Sequence, residues 1–147
     1  MTTDSVTGTE HPNVTATIAA FTALGQGDVG PSSALMTEDF VMVNHDNGAG
    51  DWHLIEGRDA FFEFLGTWFA FFEGTFAQEP LGIYGGEDHV VMLVHETGRV
   101  GEAVFDNHAV YVIEVRDGRW TRLETYDRDR EANARFWAQV GVTAPPK

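Results

Sequence analysis

The chain has no cysteine, which excludes a disulfide framework, thiolate catalysis and any cysteine-ligated zinc or iron–sulfur site. Lysine is nearly missing as well. Eight of the nine basic residues are arginine and the other is Lys147, so a lysine Schiff base would need the last residue to fold back. No apolar run reaches the roughly 18 residues of a membrane span, and Met1 to Pro12 is polar and acidic, without the basic start and apolar centre of a signal peptide. The expected compartment is the cytoplasm. Positive charge is scarce overall, and the net charge of −14 repels phosphate backbones and anionic membranes and disfavours anionic substrates, so neither nucleic acid nor membrane is expected as a partner. No serine stands in a Gly-x-Ser-x-Gly turn, so nucleophilic catalysis by serine is not the expected chemistry. The six histidines show neither His-x-His nor His-Glu-x-x-His spacing. His95 and His108 become neighbours only if their strands pair, and no metal is expected.

What the chain does have is apolar and aromatic residues, 43% and 12% of 147, enough for one globular domain with a single real core. That domain is expected over residues 12–140, with residues 1–11 and 143–147 as loose ends. Val14, Ile18, Phe21, Ala23 and Leu24 outline an amphipathic first helix that Gly25 and Gly27 end. Pro31 and Ser32 start a short second helix through Met36, and Phe40 to His45 is β-rich and apolar. Asp46 to Asp51, with Gly48 and Gly50, reads as a flexible loop. Gly57 to Glu73 is the most apolar stretch, and Leu65, Trp68, Phe69 and Phe72 recur on it at helical spacing. Such a stripe is a core face that can also roof a pocket. Four strands follow, at Thr75–Tyr84, His89–Thr97, Val104–Arg116 and Arg119–Tyr126, and then a last helix that Asp127 and Asp129 initiate as caps. Helices followed by a run of strands imply an α+β fold, with the helices gathered on one face of a curved antiparallel sheet.

The last two strands meet across Asp117-Gly118, the dipeptide preferred by a two-residue type I′ turn, whose central residues both need positive φ. The turn sets Arg116 opposite Arg119 and Val115 opposite Trp120. An uninterrupted ladder then sets Ile113 opposite Arg122, Tyr111 opposite Glu124 and Ala109 opposite Tyr126. The other face carries Val110, Val112 and Leu123, an apolar patch that monomers rarely leave in water, and a homodimer is expected to cover it.

Glu56-Gly57-Arg58-Asp59-Ala60, Val115-Arg116-Asp117-Gly118-Arg119 and Phe136-Trp137-Ala138, in this order of elements, give the chain its resemblance to the nuclear transport factor 2-like superfamily. Within it, the chain is most similar to the SnoaL-like branch, which includes polyketide cyclases and relatives of ketosteroid isomerases and limonene epoxide hydrolases. The resemblance implies a conical roll in which a bent sheet wraps against the long third helix and leaves an apolar pocket at the open end. It also sets His45 at the isomerases' strand-one carboxylate, and Tyr111 where isomerases place an acid donor and cyclases a histidine. Thr125, which transfers no proton at neutral pH, falls at the cyclases' last-strand aspartate, and Ala20 or Phe21 at the isomerases' first-helix tyrosine.

The residues and the resemblance together make His45, Tyr111 and Glu124 the catalytic candidates: a base, a hydrogen-bond donor, and a carboxylate that orients the donor. Asn44 and Trp52 beside the rim, Trp68 and Phe72 on the roof, and Tyr126 are the substrate-binding candidates. The expected function is SnoaL-like, cofactor-free acid–base chemistry (isomerisation, cyclisation, dehydration or epoxide opening) on a small, uncharged, largely apolar molecule. The alternative is a dimeric pocket protein that binds a hydrophobic ligand without catalysis, or an accessory interaction module.

Overall fold

The computed structural model describes residues 11–45 and 52–140; the expectations for residues 1–10, the loop 46–51 and the tail 143–147 lie outside them. Among the described residues, four helices and six strands follow in the order α1 (Pro12–Gly25), α2 (Gly30–Leu35), β1 (Met36–His45), β2 (Leu54–Glu56), α3 (Arg58–Phe71), β3 (Ala77–Gly85), β4 (His89–Val100), β5 (Ala103–Arg116), β6 (Arg119–Asp127) and α4 (Arg130–Gln139). The strands form one sheet in the order β2-β1-β6-β5-β4-β3. The sheet curves without closing, and the fold is the expected α+β roll.

Local chemistry explains the elements. His11 caps α1 by accepting the Asn13 N–H on Nδ1 at 3.1 Å, and Pro12 occupies the first turn, where no N–H is needed. Gly57, at φ 102°, makes the sharp entry from β2 into α3. Asp129 caps α4 by accepting the Ala132 N–H at 2.9 Å. The Asp117-Gly118 turn has the expected positive φ at both residues, 52° and 77°.

Three features differ from the sequence reading. Residues 54–56 form a sixth strand, paired antiparallel to β1, in a stretch where no strand was expected. β1 runs parallel to β6, so the sheet is not wholly antiparallel. The third difference decides the site. Arg116 pairs with Arg119 and Val115 with Trp120, but the register then shifts by one: Glu114 pairs with Arg122, Ile113 with Leu123, Val112 with Glu124, Tyr111 with Thr125 and Val110 with Tyr126. Thr121 is the extra residue of a β-bulge. Because side chains alternate strictly between faces, one inserted residue reverses the facing of all that follow.

On the concave side α3 packs against β1 and β2, α1 against β3 and β4, and α4 against β5. Buried residues form two groups. The larger contains Phe40, Phe61, Phe64, Met92, Ile113 and Trp120; the smaller is Phe72, Ala103, Phe105, Phe136 and Trp137. Trp68 packs against both. Leu123 is buried on the concave side, so the convex apolar patch keeps Val110 and Val112 but loses Leu123, and gains Leu93 and Tyr126.

Candidate functional site

The inner positions of β4, β5 and β6 are Met92, Val94 and Glu96, then Phe105, Asn107, Ala109 and Tyr111, then Leu123, Thr125 and Asp127. They face α1, α3 and α4 across a cavity of about 680 Å³. One wall is almost wholly apolar, formed by Phe21, Met42, Phe61, Phe64 and Trp68. The polar side chains gather opposite it in one connected network. Gln78 Nε2 donates to Tyr111 Oη at 2.6 Å, and the Tyr111 hydroxyl donates to Glu96 Oε2. Asn107 Nδ2 donates to both Glu96 Oε1 and Asp127 Oδ1, each at 2.9 Å. Asn133 Nδ2 donates to Asp127 Oδ2 at 2.6 Å. One amide therefore ties the two carboxyl groups together. A smaller set lies near Trp52, where Thr125 Oγ1 donates to Asn44 Oδ1 and Asn44 Nδ2 to the Trp52 carbonyl, both at 2.7 Å.

The surroundings tune two of these groups. Burial raises the Asp127 carboxyl above its ordinary 3.8, against the opposing hydrogen bonds of Asn107 and Asn133 and the charge of Arg130. Burial, and next the adjacent Glu96 charge, push Tyr111 well above 10, so it stays a neutral phenol and acts as a donor. Two further polar atoms, Asn133 Oδ1 and Trp137 Nε1, are buried without a hydrogen-bond partner. Their residues stand one turn apart on α4, and both line the cavity. Buried polar atoms rarely go unpaired.

The expected catalytic trio does not converge. Tyr111 lines the cavity, whereas the bulge turns Glu124 and Tyr126 to the convex face, where His45 also lies. There His45 Nε2 meets Glu124 Oε1 at 2.7 Å, Tyr126 donates to the same oxygen at 2.9 Å, and Arg122 Nε donates to Oε2 at 2.9 Å. The His45 and Tyr126 rings stack at 4.5 Å. Of the binding candidates, Asn44, Trp52 and Trp68 line the cavity, whereas Phe72 is fully buried in the smaller core group and Tyr126 lies outside. Asp127 does not cap α4, as the sequence suggested; it is a cavity carboxylate. Asn107 was legible as a polar residue in phase with Tyr111. Glu96 and Gln78 carried no comparable signal, because their inward facing depends on how three strands pair.

The outer cluster makes one clear prediction. Hydrogen bonds from Arg122, then His45 and Tyr126, hold Glu124 down to about 2 from its ordinary 4.5. A folded-state value below the unfolded one stabilises above the unfolded value and is lost as pH falls through the folded one. Glu124→Gln should therefore flatten the decline in urea midpoint between about pH 4.5 and about pH 2. Parallel declines in variant and wild type would show that the cluster contributes nothing.

Residues 17–123 match the SnoaL-like domain. The chain belongs to this family. Its fold is similar to Bal32a from a soil-derived mobile gene cassette, at a TM-score of 0.78 and 22% identity over 85% of this chain and 95% of that one. It is similar also to TerC co-crystallized with polyporic acid (TM-score 0.72, 22% identity, 85% of this chain and 97% of that one). A third similar structure is IdmH of Streptomyces antibioticus, a candidate polyketide cyclase (TM-score 0.68, 21% identity, 90% and 100%). At these identities the likeness is one of fold. No curated protein gives a significant match. In this SnoaL-like chain Thr125 and, two residues on, the carboxylate of Asp127 both face the cavity from the last strand. No helix among the described residues is long and apolar enough to cross a membrane.

Proposed function

We propose that the protein is a cofactor-free acid–base enzyme acting on a small, uncharged, largely apolar molecule held in the conical cavity, with Asp127 moving the proton. The observation that carries this reading is a carboxyl group raised by burial, set in an apolar cavity and fixed by two amide donors. A carboxylate so placed is a stronger base than an exposed one, and its orientation is settled before substrate arrives. The unpartnered Trp137 Nε1–H is the donor available to an oxyanion formed next to it. Tyr111 and Gln78 act one step away, holding Glu96 and through Asn107 the far side of Asp127. Proton abstraction beside a carbonyl, the step shared by isomerisation and cyclisation, needs no more than this.

The test is exchange of α-hydrogens for deuterium in aryl ketones, followed by NMR in D₂O with the wild-type chain. Exchange faster than in buffer supports the enzyme. The second reading, a carrier of a hydrophobic ligand, draws on the fact that each Asp127 oxygen already has a neighbour. It takes over if apolar ketones, or polyporic acid, quench the cavity tryptophans while no α-hydrogen exchanges above background.

We propose further that the chain is a homodimer built on the convex face, where Leu93 and Tyr126 are 38% and 41% exposed beside half-buried Val110 and Val112. Light scattering at micromolar concentration and ordinary salt should give twice the mass of 16.2 kDa. A single-chain mass would remove the proposal.

A further inference from the structure

The convex face also carries a row of metal-binding side chains that the cavity chemistry does not use. Glu79 of β3 pairs with His95 of β4, and His95 pairs with His108 of β5. All three therefore sit side by side across three neighbouring strands. Asp106 stands two residues before His108 and so shares its face. The His95 and His108 rings stack in parallel at 4.4 Å. His95 Nε2 lies 2.8 Å from Asp106 Oδ1 and its Nδ1 lies 3.6 Å from Glu79 Oε1. One ligand atom from each of His95, Asp106 and His108 comes within 4.8 Å of the others.

We infer that His95, His108 and Asp106 form a binding site for a divalent transition metal of the zinc class, with Glu79 or water completing the shell. Two neutral imidazoles and a carboxylate suit borderline metals, and tetrahedral zinc bonds these donors at about 2.0 to 2.2 Å. To share one ion the parallel rings must turn out of their stack, so that both ring nitrogens aim at the point the Asp106 carboxylate faces. Hard cations such as magnesium prefer all-oxygen shells, which this histidine-containing cluster does not offer. The β-ladder supplies what the linear sequence hides: the ligands are 13 positions apart along the chain, yet directly opposite in register. The net charge of −14 favours any cation at this surface. Two stacked imidazoles with carboxylates beside His95 gain a common partner from a metal that an ion pair of His95 with Asp106 alone would not give His108. The row lies two pairs along the ladder from Leu93 and Val110, the next pair on the same face, at the margin of the proposed dimer face. The inference goes beyond the cavity reading and stands or falls separately from it.

The experiment titrates tag-free, chelator-stripped full-length protein with zinc sulfate by calorimetry and records the melting temperature with and without zinc. One zinc per chain is expected, with a rise in melting temperature through binding to the folded state. His95→Ala and His108→Ala should each weaken binding by about 10- to 100-fold or more, the range seen even for groups that only support a ligand. Both should abolish the thermal shift, while His89→Ala leaves binding and shift intact. His108→Gln replaces His108→Ala if the latter melts lower than wild type without metal. Unchanged zinc affinity in either variant, no binding at millimolar zinc, or equal competition by magnesium would overturn the site.

Discussion

Asp127→Asn should lower the rate of α-hydrogen exchange, or of turnover once a substrate is known, by about 100- to 10,000-fold, the range for loss of a positioned general base. The change is close to isosteric, and the new amide still offers an oxygen to one of Asn107 and Asn133. The fold should therefore persist, which far-ultraviolet dichroism and the melting temperature would check. The wild-type rate should rise with pH through an apparent value above 3.8, since the carboxylate form is the base and burial lifts its proton affinity. Asn107→Leu provides the contrast. It removes the amide shared by Glu96 and Asp127, so it should move the pH profile as well as lower the rate. A rate within threefold of wild type in Asp127→Asn would assign the proton transfer elsewhere.

Trp68→Ala should cost about 3 to 5 kcal/mol, the range for removing a packed aromatic, from a total of about 5 to 15. At about 3 to 4 °C per kcal/mol for a domain of this size, the melting temperature should fall by roughly 10 to 20 °C. Few side chains here have so many ring partners. Trp52, Phe64, Phe72, Phe76 and Trp137 have centroids 5.5, 5.7, 5.1, 5.5 and 5.8 Å from it. Because Trp68 packs against both core groups, its loss separates α3 from α4 as well as enlarging the cavity. Phe69→Ala, one residue on and 36% exposed, is the control and should change the melting temperature far less. If the two variants melt together, the tryptophan is not the junction that its contacts indicate.

The helices, the hairpin turn and the α+β roll were legible because each rests on local chemistry: spacing of 3.6 for α3, apolar spacing and the closing Gly25 and Gly27 for α1, and Asp-Gly between β5 and β6. The SnoaL-like resemblance added the cavity. Where the reading failed, the cause was non-local. Nothing in Trp120-Thr121-Arg122 marks Thr121 as a bulge, since a threonine is at home in any strand. Yet that residue alone moved Glu124 and Tyr126 out and Thr125 and Asp127 in. Asp127 was hidden further by its neighbour Asp129, a real helix cap that gave both aspartates one ordinary explanation. Glu96 sits in an apolar strand where a single acid reads as a solvent-facing residue, until Asn107 and Tyr111 are brought beside it. The three-residue β2 is too short to show a period at all.

The bulge at Thr121 makes strand length in β6 a matter of parity. Trp120 faces inward and donates its indole N–H to Thr17 on α1 at 3.1 Å, which anchors one end of the strand. Deleting Thr121 would remove the bulge and leave every later side chain facing as it does now. With Thr121 instead drawn into the ladder and that anchor kept, strict alternation would send Arg122, Glu124 and Tyr126 into the cavity and Leu123, Thr125 and Asp127 out to solvent. A charged cluster would then replace a buried acid, with every side chain of the strand unchanged. Substitutions along β6 thus adjust a given pocket, while loss of the bulge at constant strand length exchanges one pocket for another. In lineages built on this sheet, related chains of high similarity can on that account differ in which face carries the chemistry.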